Sequence, residues 1–393
     1  MHVLYLIDSL VPGGAERSLA ALAPGYVARG VKLDVGYLQD RPGLQHDLLQ
    51  AGANLFCLDG PGGRLGWIRR TRALARERRF DLIHTTLADA NLAGRIGGRL
   101  AGVPVVSSLV NVQYGPEHSS DPNVLAWRMK LLQLANALTA QGVVRFHAVT
   151  REIADVMSRR LRVPLDRIEV IPRGRDPRAL GRRTAARRTA IRGKLGVSDN
   201  TIFVLAAARH EFQKRLDLLI EAMPQIRREL GAVTLLVAGR EGSATQGLQE
   251  VAGSLGVAEH IQFLGARDDV PELLCASDVL VLPSRREGLP GILIEALALE
   301  TPIVASDLLG VREVVDDQTA RLVATARAED LAAAVVESVR DVAGSSRRVA
   351  EGRARFEATF TIDAVADRMV AFYDRALGCR PKGDRAGSVS QST

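Results

Sequence analysis

Two glutamates and two cations carry the strongest chemical signals in this 393-residue chain. The string Leu282-Pro-Ser-Arg-Arg-Glu287-Gly288-Leu289-Pro290-Gly291-Ile-Leu-Ile-Glu295-Ala reads as a buried strand, a loop and a helix that starts near Gly291. Gly288, Pro290 and Gly291 let the backbone turn sharply and approach a ligand. The free amides of the helix start favour an anion or a polar ring. Glu287 falls in the loop, and Glu295 about one turn into the helix. Two acceptors so spaced can grip different hydroxyl-rich parts of one ligand. Glu287 can also be read as a helix-start carboxylate favoured by the dipole. Glu295 stands among Ile292, Leu293, Ile294 and Leu297, and a lone carboxylate in such surroundings needs a partner.

A second string, Ala207-Ala-Arg209-His-Glu-Phe-Gln-Lys214, places an Arg at a strand end and a Lys at the start of the next helix. Such a pair can clamp a diphosphate from two sides, the Arg as a fork and the Lys as a point charge. The plainer reading of Lys214 is an exposed helix-start lysine. A third string, Pro12-Gly13-Gly14-Ala15-Glu16-Arg17, follows the first strand. It is not G-x-G-x-x-G, which weakens a nicotinamide reading.

These residues must be positioned by alternating strands and helices. Strands are expected at Val3–Asp8, Lys32–Leu38, Asn54–Leu58, Asp81–Thr85, Pro104–Leu109, Phe146–Thr150 and Ile168–Pro172. The second half repeats the scheme at Ile202–Ala208, Val233–Ala238, Ile261–Leu264, Val279–Pro283, Pro302–Ser306 and Arg321–Val323. Most are continuous apolar runs, as in parallel sheets covered on both faces. Helices are expected at Ala15–Arg29, Leu65–Arg79 and Ala90–Ala101, among others. The alternation implies doubly wound α/β domains, whose ligands sit beyond the carboxyl ends of the strands. The expected division is a first domain at 1–172, a basic linker at 173–194, a second domain at 195–358, a returning C-terminal helix at 359–378 and a disordered tail at 379–393. The basic stretch reads as a solvated linker and helix face, or alternatively as a cationic rim on an interdomain cleft.

The motif Glu-Gly-Leu-Pro-Gly-Ile-Leu-Ile-Glu resembles the signature of the retaining nucleotide-sugar glycosyltransferases of family four, the glycosyl transferases of group 1. That resemblance implies the GT-B fold, two facing Rossmann-like domains with an interdomain cleft. It implies that Glu287 meets the donor sugar and that Glu295 binds the ribose hydroxyls. Arg209 and Lys214 match the family's diphosphate-binding Arg and Lys, and Gly13, Gly14 and Glu16 match its amino-terminal loop. The implied catalytic set is Arg209, Lys214 and Glu287. The implied donor-binding set adds Gly13, Gly14, Gly288, Leu289, Pro290, Gly291 and Glu295. The base would lie near Gly239 and the Leu264–Arg267 turn, held largely by backbone. Weaker agreements at Asp81-Leu-Ile-His84, Ile261-Gln-Phe-Leu-Gly265 and Ala276-Ser-Asp278 extend the resemblance over about residues 1–378. The implied partners are a nucleotide diphosphate-sugar donor and a hydroxyl acceptor, either a saccharide, a lipid-linked saccharide or a secondary metabolite. No cofactor is expected, and the transfer is expected to be metal-independent.

The sequence also departs from that pattern. Many relatives carry a His after the fifth strand. Here the loop reads Ser108-Leu-Val110-Asn111, so Asn111 is the polar group on offer on the acceptor or sugar side, with Glu16. His84 and His147 read as ends of neighbouring strands and are taken as structural. Arg173-Gly-Arg175-Asp176 replaces the commoner Asn-Gly-Val-Asp. These departures keep three alternatives open: a pseudo-glycosyltransferase, a sugar-nucleotide epimerase, and a non-catalytic nucleotide-sugar-binding module.

Composition narrows the classes further. Three scattered cysteines argue against a disulfide framework or a structural zinc site. A formal charge of +7 suits anionic ligands or an anionic membrane surface and does not by itself indicate nucleic acid, which is not expected as a partner. No apolar run reaches the roughly 20 residues of a spanning helix. The expected location is cytoplasmic, with peripheral contact to the inner face of the membrane as an option. The basic helix Leu65–Arg79 either covers the first sheet, with Trp67, Ile68 and Leu74 inward, or docks on anionic lipid.

Overall fold

The computed structural model describes residues 1–111, 126–324 and 327–378, apart from the side chains of 126–131. The chain divides into two compact units, Met1–Ile171 with the segment from Val365, and Pro172–Ala364.

The first unit is built on a sheet of seven strands: β1 His2–Ile7, β2 Lys32–Tyr37, β3 Asn54–Cys57, β4 Leu82–Thr86, β5 Val105–Leu109, β6 Arg145–Ala148 and β7 Ile168–Val170. Their order is β3-β2-β1-β4-β5-β6-β7, and every pairing is parallel. The second unit has six strands: β8 Ile202–Ala207, β9 Val233–Ala238, β10 Ile261–Gly265, β11 Val279–Leu282, β12 Ile303–Ser306 and β13 Arg321–Val323. Their order is β10-β9-β8-β11-β12-β13, again all parallel.

The apolar runs explain the layers. Along β8, Phe203 and Leu205 enter one core cluster, while Val204 and Ala206 enter the cluster on the other face. On β11, Leu280 and Leu282 alternate with Val279 and Val281 in the same way. With side chains pointing alternately up and down, such a strand needs helices on both faces. In each sheet the strand order reverses at one place, between β1 and β4 and between β8 and β11. Parallel sheets open a crevice at that switch, beyond the carboxyl ends of the strands.

The expected linker at 173–194 is corrected by the structure. It belongs to the second unit, and four of its arginines are tied into that unit, while Arg178 and Arg182 stay exposed. Arg192, with 1% of its side chain exposed, donates to Asp278 and to the carbonyls of Ala276, Ser198 and Thr201. Arg188 pairs with Asp278, Arg187 makes a two-pronged bond to Glu272, and Arg183 reaches the carbonyl of Ser277. The guanidinium fork saturates buried carbonyls and carboxylates at once, so it docks the helix Ala185–Lys194 onto its own domain.

The helix Gly63–Arg78 behaves as a covering element. Leu74 is buried, and Trp67 and Ile68 pack against the core of the first unit. Arg70 donates to the carbonyls of Leu58, Gly60 and Pro61, Arg76 to that of Leu100, and Arg78 pairs with the buried Asp34. The C-terminal helix Ile362–Gly378 buries Met369, Phe372 and Tyr373 in the first unit. Gly25 lets it approach, since a Cβ there would press on Ala366. The tail expected at 379–393 lies outside the described residues.

Candidate functional site

The loops after β8 and β11 meet at the switch of the second sheet. The amide of Arg285 donates to the carbonyl of Gln213 at 2.8 Å, which ties the two loops together. Lys214 lies in the single 3-10 turn Phe212–Lys214, just ahead of the helix Leu216–Leu230 and not in its first turn. Its Nζ donates to Glu287 Oε1 at 2.8 Å, and the buried Ser284 hydroxyl donates to the same oxygen at 2.6 Å. The side chains of Lys214 and Glu287 are 18% and 8% exposed, so the ion pair is shielded from water. Among the described residues, nothing bonds to Glu287 Oε2. The loop is pinned from behind, because a Cβ on Gly310 would overlap the carbonyls of Glu287 and Gly288.

Arg209 lies just beyond β8, with its side chain 54% exposed and 3.9 Å from Glu211. No ion pair joins it to Glu287 among the described residues. Gly288 faces open space, whereas the partly buried Leu289 packs against the core. The buried Pro290 caps the helix Gly291–Ala298.

Glu295 has the partner that its apolar neighbours demand. Arg175 Nε donates to Glu295 Oε1 at 2.8 Å. The space above Gly291 is already filled, since a Cβ there would overlap Arg175 Nη2. The sequence assigned that gap to a ligand, and the structure assigns it to a guanidinium. Glu295 Oε2, like Glu287 Oε2, takes no protein hydrogen bond among the described residues. Each motif glutamate thus has one oxygen on a cation and one left over for hydroxyls.

Gly239 sits tightly against the loop that follows β8. A Cβ there would overlap the carbonyl of Ala208, and its amide donates to Gly265 at 2.8 Å.

In the first unit, Gly13 caps the helix Gly14–Ala28, and the buried Glu16 folds its carboxylate back over it. Asp8, just past β1, accepts the amide of Ala90 at 2.7 Å. Burial, which outweighs that bond, pushes its carboxyl up to about 6, with help from the neighbouring Asp89 and Glu16 carboxylates. Val110 packs against the apolar cluster around β5 and β6, so the chain turns an apolar group inward where relatives were expected to hold a His. Asn111 is exposed.

His84 and His147 do not end neighbouring strands. They lie on β4 and β6, with β5 between them. Ser108 on β5 bridges them, 2.7 Å from His84 Nε2 and 2.8 Å from His147 Nδ1. His147 Nε2 faces the carbonyl of Ile171 at 2.8 Å, and His84 Nδ1 faces the Tyr373 hydroxyl at 2.7 Å. A carbonyl only accepts, so His147 carries its proton on Nε2 and accepts from Ser108. Ser108 in turn accepts from His84 Nε2, and Tyr373 donates to His84 Nδ1. Burial, and secondarily His147, holds His84 well below the ordinary range, in its neutral form. The histidines anchor the C-terminal helix to the sheet.

Sequence reasoning missed Arg175, Ser284 and Asp8. The signal for Arg175 was visible: an arginine stands where the commoner string has an apolar residue. Ser284 gave none, since a serine after a strand is commonplace.

The family described as "Glycosyltransferase Family 4" matches residues 12–179, and "Glycosyl transferases group 1" matches residues 199–341. The alpha-D-kanosaminyltransferase of Streptomyces kanamyceticus is 25% identical over 80% of this chain and 82% of its own length. A D-inositol 3-phosphate glycosyltransferase of Xylanimonas cellulosilytica is 28% identical over 97% of this chain and 92% of its own. Among solved structures, Anabaena HepE in complex with UDP superposes with a TM-score of 0.81 at 22% identity, covering 95% of this chain and all of that one. HepE has also been solved with UDP-glucose, with a TM-score of 0.77.

Proposed function

Because the chain belongs to the glycosyltransferases of family 4 and group 1, enzymes that transfer a sugar from a nucleotide-sugar, we propose that its second unit binds the donor at the β8–β11 switch. The observation that carries this reading is the Lys214–Glu287–Ser284 cluster in that crevice, with Glu295 on the following helix.

In this reading the donor diphosphate draws Lys214 away from Glu287, and Arg209 swings in from solvent to complete the clamp. Both cations then stabilise the charge that grows on the leaving diphosphate, which is the largest single contribution to the rate. Glu287, with its open Oε2, and the amides around Gly288–Gly291 orient the sugar. Glu295 Oε2 takes a ribose hydroxyl. The acceptor hydroxyl is served from the first unit, near Gly13–Glu16 and Asn111. We propose retention of configuration by same-face attack, with a leaving phosphate oxygen taking the acceptor proton. No metal is assigned a step, since the arginine and lysine supply the countercharge.

Calorimetric titration with UDP, GDP, ADP and TDP tests the reading, UDP first because HepE was solved with it. One diphosphate should bind selectively, and Glu295→Ala should weaken it. Equal affinity in wild type and variant removes Glu295 from the donor site.

A further inference from the structure

We infer that Arg175 is a positioning residue of the donor site: seated in the gap that Gly291 leaves, it fixes the Glu295 carboxylate so that its free oxygen reads a ribose hydroxyl. This deepens the proposed donor site and rests on it.

Three observations support the assignment. First, Arg175 is held by its backbone before its side chain does anything. Its amide donates to the carbonyl of Phe360 at 2.8 Å, and its carbonyl accepts from Ile362 at 2.9 Å. Second, its guanidinium is held along its length. Nε is on Glu295 Oε1, Nη1 is 3.2 Å from the carbonyl of Gly174, and Nη2 lies over Gly291. Third, Gly291 admits it, because any side chain there would collide with Nη2.

A glutamate on a helix turns freely about its last bonds. Bonded through one oxygen to a planar, anchored guanidinium, it keeps its second oxygen in one direction. Arg175 does not touch the ligand in this account. It acts through Glu295, and Gly291 acts through Arg175. A site built to hydrogen-bond a hydroxyl rejects an analogue that lacks it, because the carboxylate oxygen is then desolvated for nothing. The interlock therefore makes the enzyme prefer ribonucleotides to deoxyribonucleotides, by about tenfold for one such bond.

The test is calorimetric titration of the tightest binder among UDP, GDP and ADP, together with its 2′-deoxy and 3′-deoxy forms. The proteins are wild type, Arg175→Val, Arg175→Lys, Gly291→Ala, the Arg175→Val/Gly291→Ala double variant and Glu295→Gln, each checked by thermal unfolding. The wild type should favour the ribonucleotide by about tenfold over one deoxy form. Arg175→Val should lose that preference while binding the deoxy form as before, and Gly291→Ala should lose the preference too. The double variant should be no worse than either single one. Arg175→Lys keeps the charge without the fork and should restore only part of the preference. If Arg175→Val does not fold, Gly291→Ala carries the same comparison with Arg175 in place. Should Glu295→Gln lose the preference while Arg175→Val and Gly291→Ala keep it, Arg175 is only a structural ion pair and the inference fails alone. Should Glu295→Gln keep wild-type affinity and preference, or the wild type bind none of the nucleotides, the donor-site reading fails and the inference with it.

Discussion

Lys214 and Glu287 allow a prediction in which two neutralising substitutions at one ion pair push donor binding in opposite directions. At their 2.8 Å separation, two unit charges attract by about 6 kcal/mol at an effective dielectric near 20. Most of this offsets the cost of taking both groups out of water. Lys214→Met leaves Glu287 with only the Ser284 hydroxyl. Breaking a fully buried pair from one side costs about 3–5 kcal/mol, and the 18% exposure of Lys214 places the expected loss of stability nearer 1–3 kcal/mol. The effect on turnover should be larger. Removing one donor to the leaving group lowers kcat by about 10²–10³ in comparable electrostatic sites. Affinity for the nucleoside diphosphate should fall as well.

Glu287→Gln reverses the effect on affinity. It frees Lys214 from the carboxylate that competes with phosphate for it, so diphosphate affinity should hold or rise, by about tenfold for each 1.4 kcal/mol released. Turnover should still fall, because Glu287 Oε2 no longer orients the sugar. The assays are calorimetric titration with the diphosphate that binds wild type, and initial rates of diphosphate release from the matching sugar nucleotide. Turnover of Lys214→Met within threefold of wild type would refute the role of the amine. Equal loss of diphosphate affinity in both variants would refute the competition between Glu287 and phosphate.

Further outcomes follow from other parts of the molecule. Arg70→Ala removes three hydrogen bonds to carbonyls and should cost about 1–3 kcal/mol in urea unfolding, yet leave cosedimentation with anionic vesicles unchanged. A loss of vesicle binding without a loss of stability would instead make that helix a lipid-docking element. His84 is neutral when folded, with its proton affinity depressed, so the unfolded state takes up a proton as pH falls below about 6.5. Its contribution is stability present above that pH and lost below it, at up to about 1.4 kcal/mol per pH unit. Asp8, raised to about 6, works in the opposite sense, so the measurable quantity is the difference in slope between wild type and His84→Gln in unfolding between pH 7 and pH 5. Identical slopes would show that His84 is not held neutral. Turnover should be indifferent to a chelator, and restoration of a lost rate by added divalent cation would overturn the assignment of countercharge to Arg209 and Lys214.

Much of the fold was legible because parallel strands covered on both faces have no polar alternation to confuse the reading. All thirteen strands lie within two residues of their expected bounds. What failed was the reading of arginine. A run of nine basic residues between the halves looks solvated on charge alone. Guanidinium forks, however, meet carbonyls and carboxylates that sequence does not place near them, such as Asp278 and Glu272. Glycine failed for the same reason. Gly291 was readable as a position where something comes close, but not as to what does, an arginine side chain. Glu287 and Glu295 were legible as a spaced pair, and the need of Glu295 for a partner was legible too. The partner itself lay outside the motif, brought back by the fold at Arg175.

The two sheets run the same strand order and fill the region of their switches with different chemistry. In the first unit, β1 and β4 are bridged by Tyr5 and Thr86 hydroxyls 2.8 Å apart, and His84, Ser108 and His147 continue the bonding across β5 and β6. Most of these groups are buried. Exchanging such a bond for one to an anionic ligand would strand its partner without a hydrogen bond. In the second unit the corresponding region holds ion pairs, Lys214 with Glu287, shielded from water, and Arg175 with Glu295, more open to it. An ion pair can trade one anion for another at little cost, because the cation stays neutralised throughout. A diphosphate displacing Glu287 from Lys214 is such a trade, and it leaves the displaced carboxylate in place to receive the sugar's hydroxyls. The first sheet's network holds structure, whereas the Lys214–Glu287 pair of the second can be exchanged. That asymmetry, present in side chains rather than in topology, is why the anionic donor is assigned to the second unit.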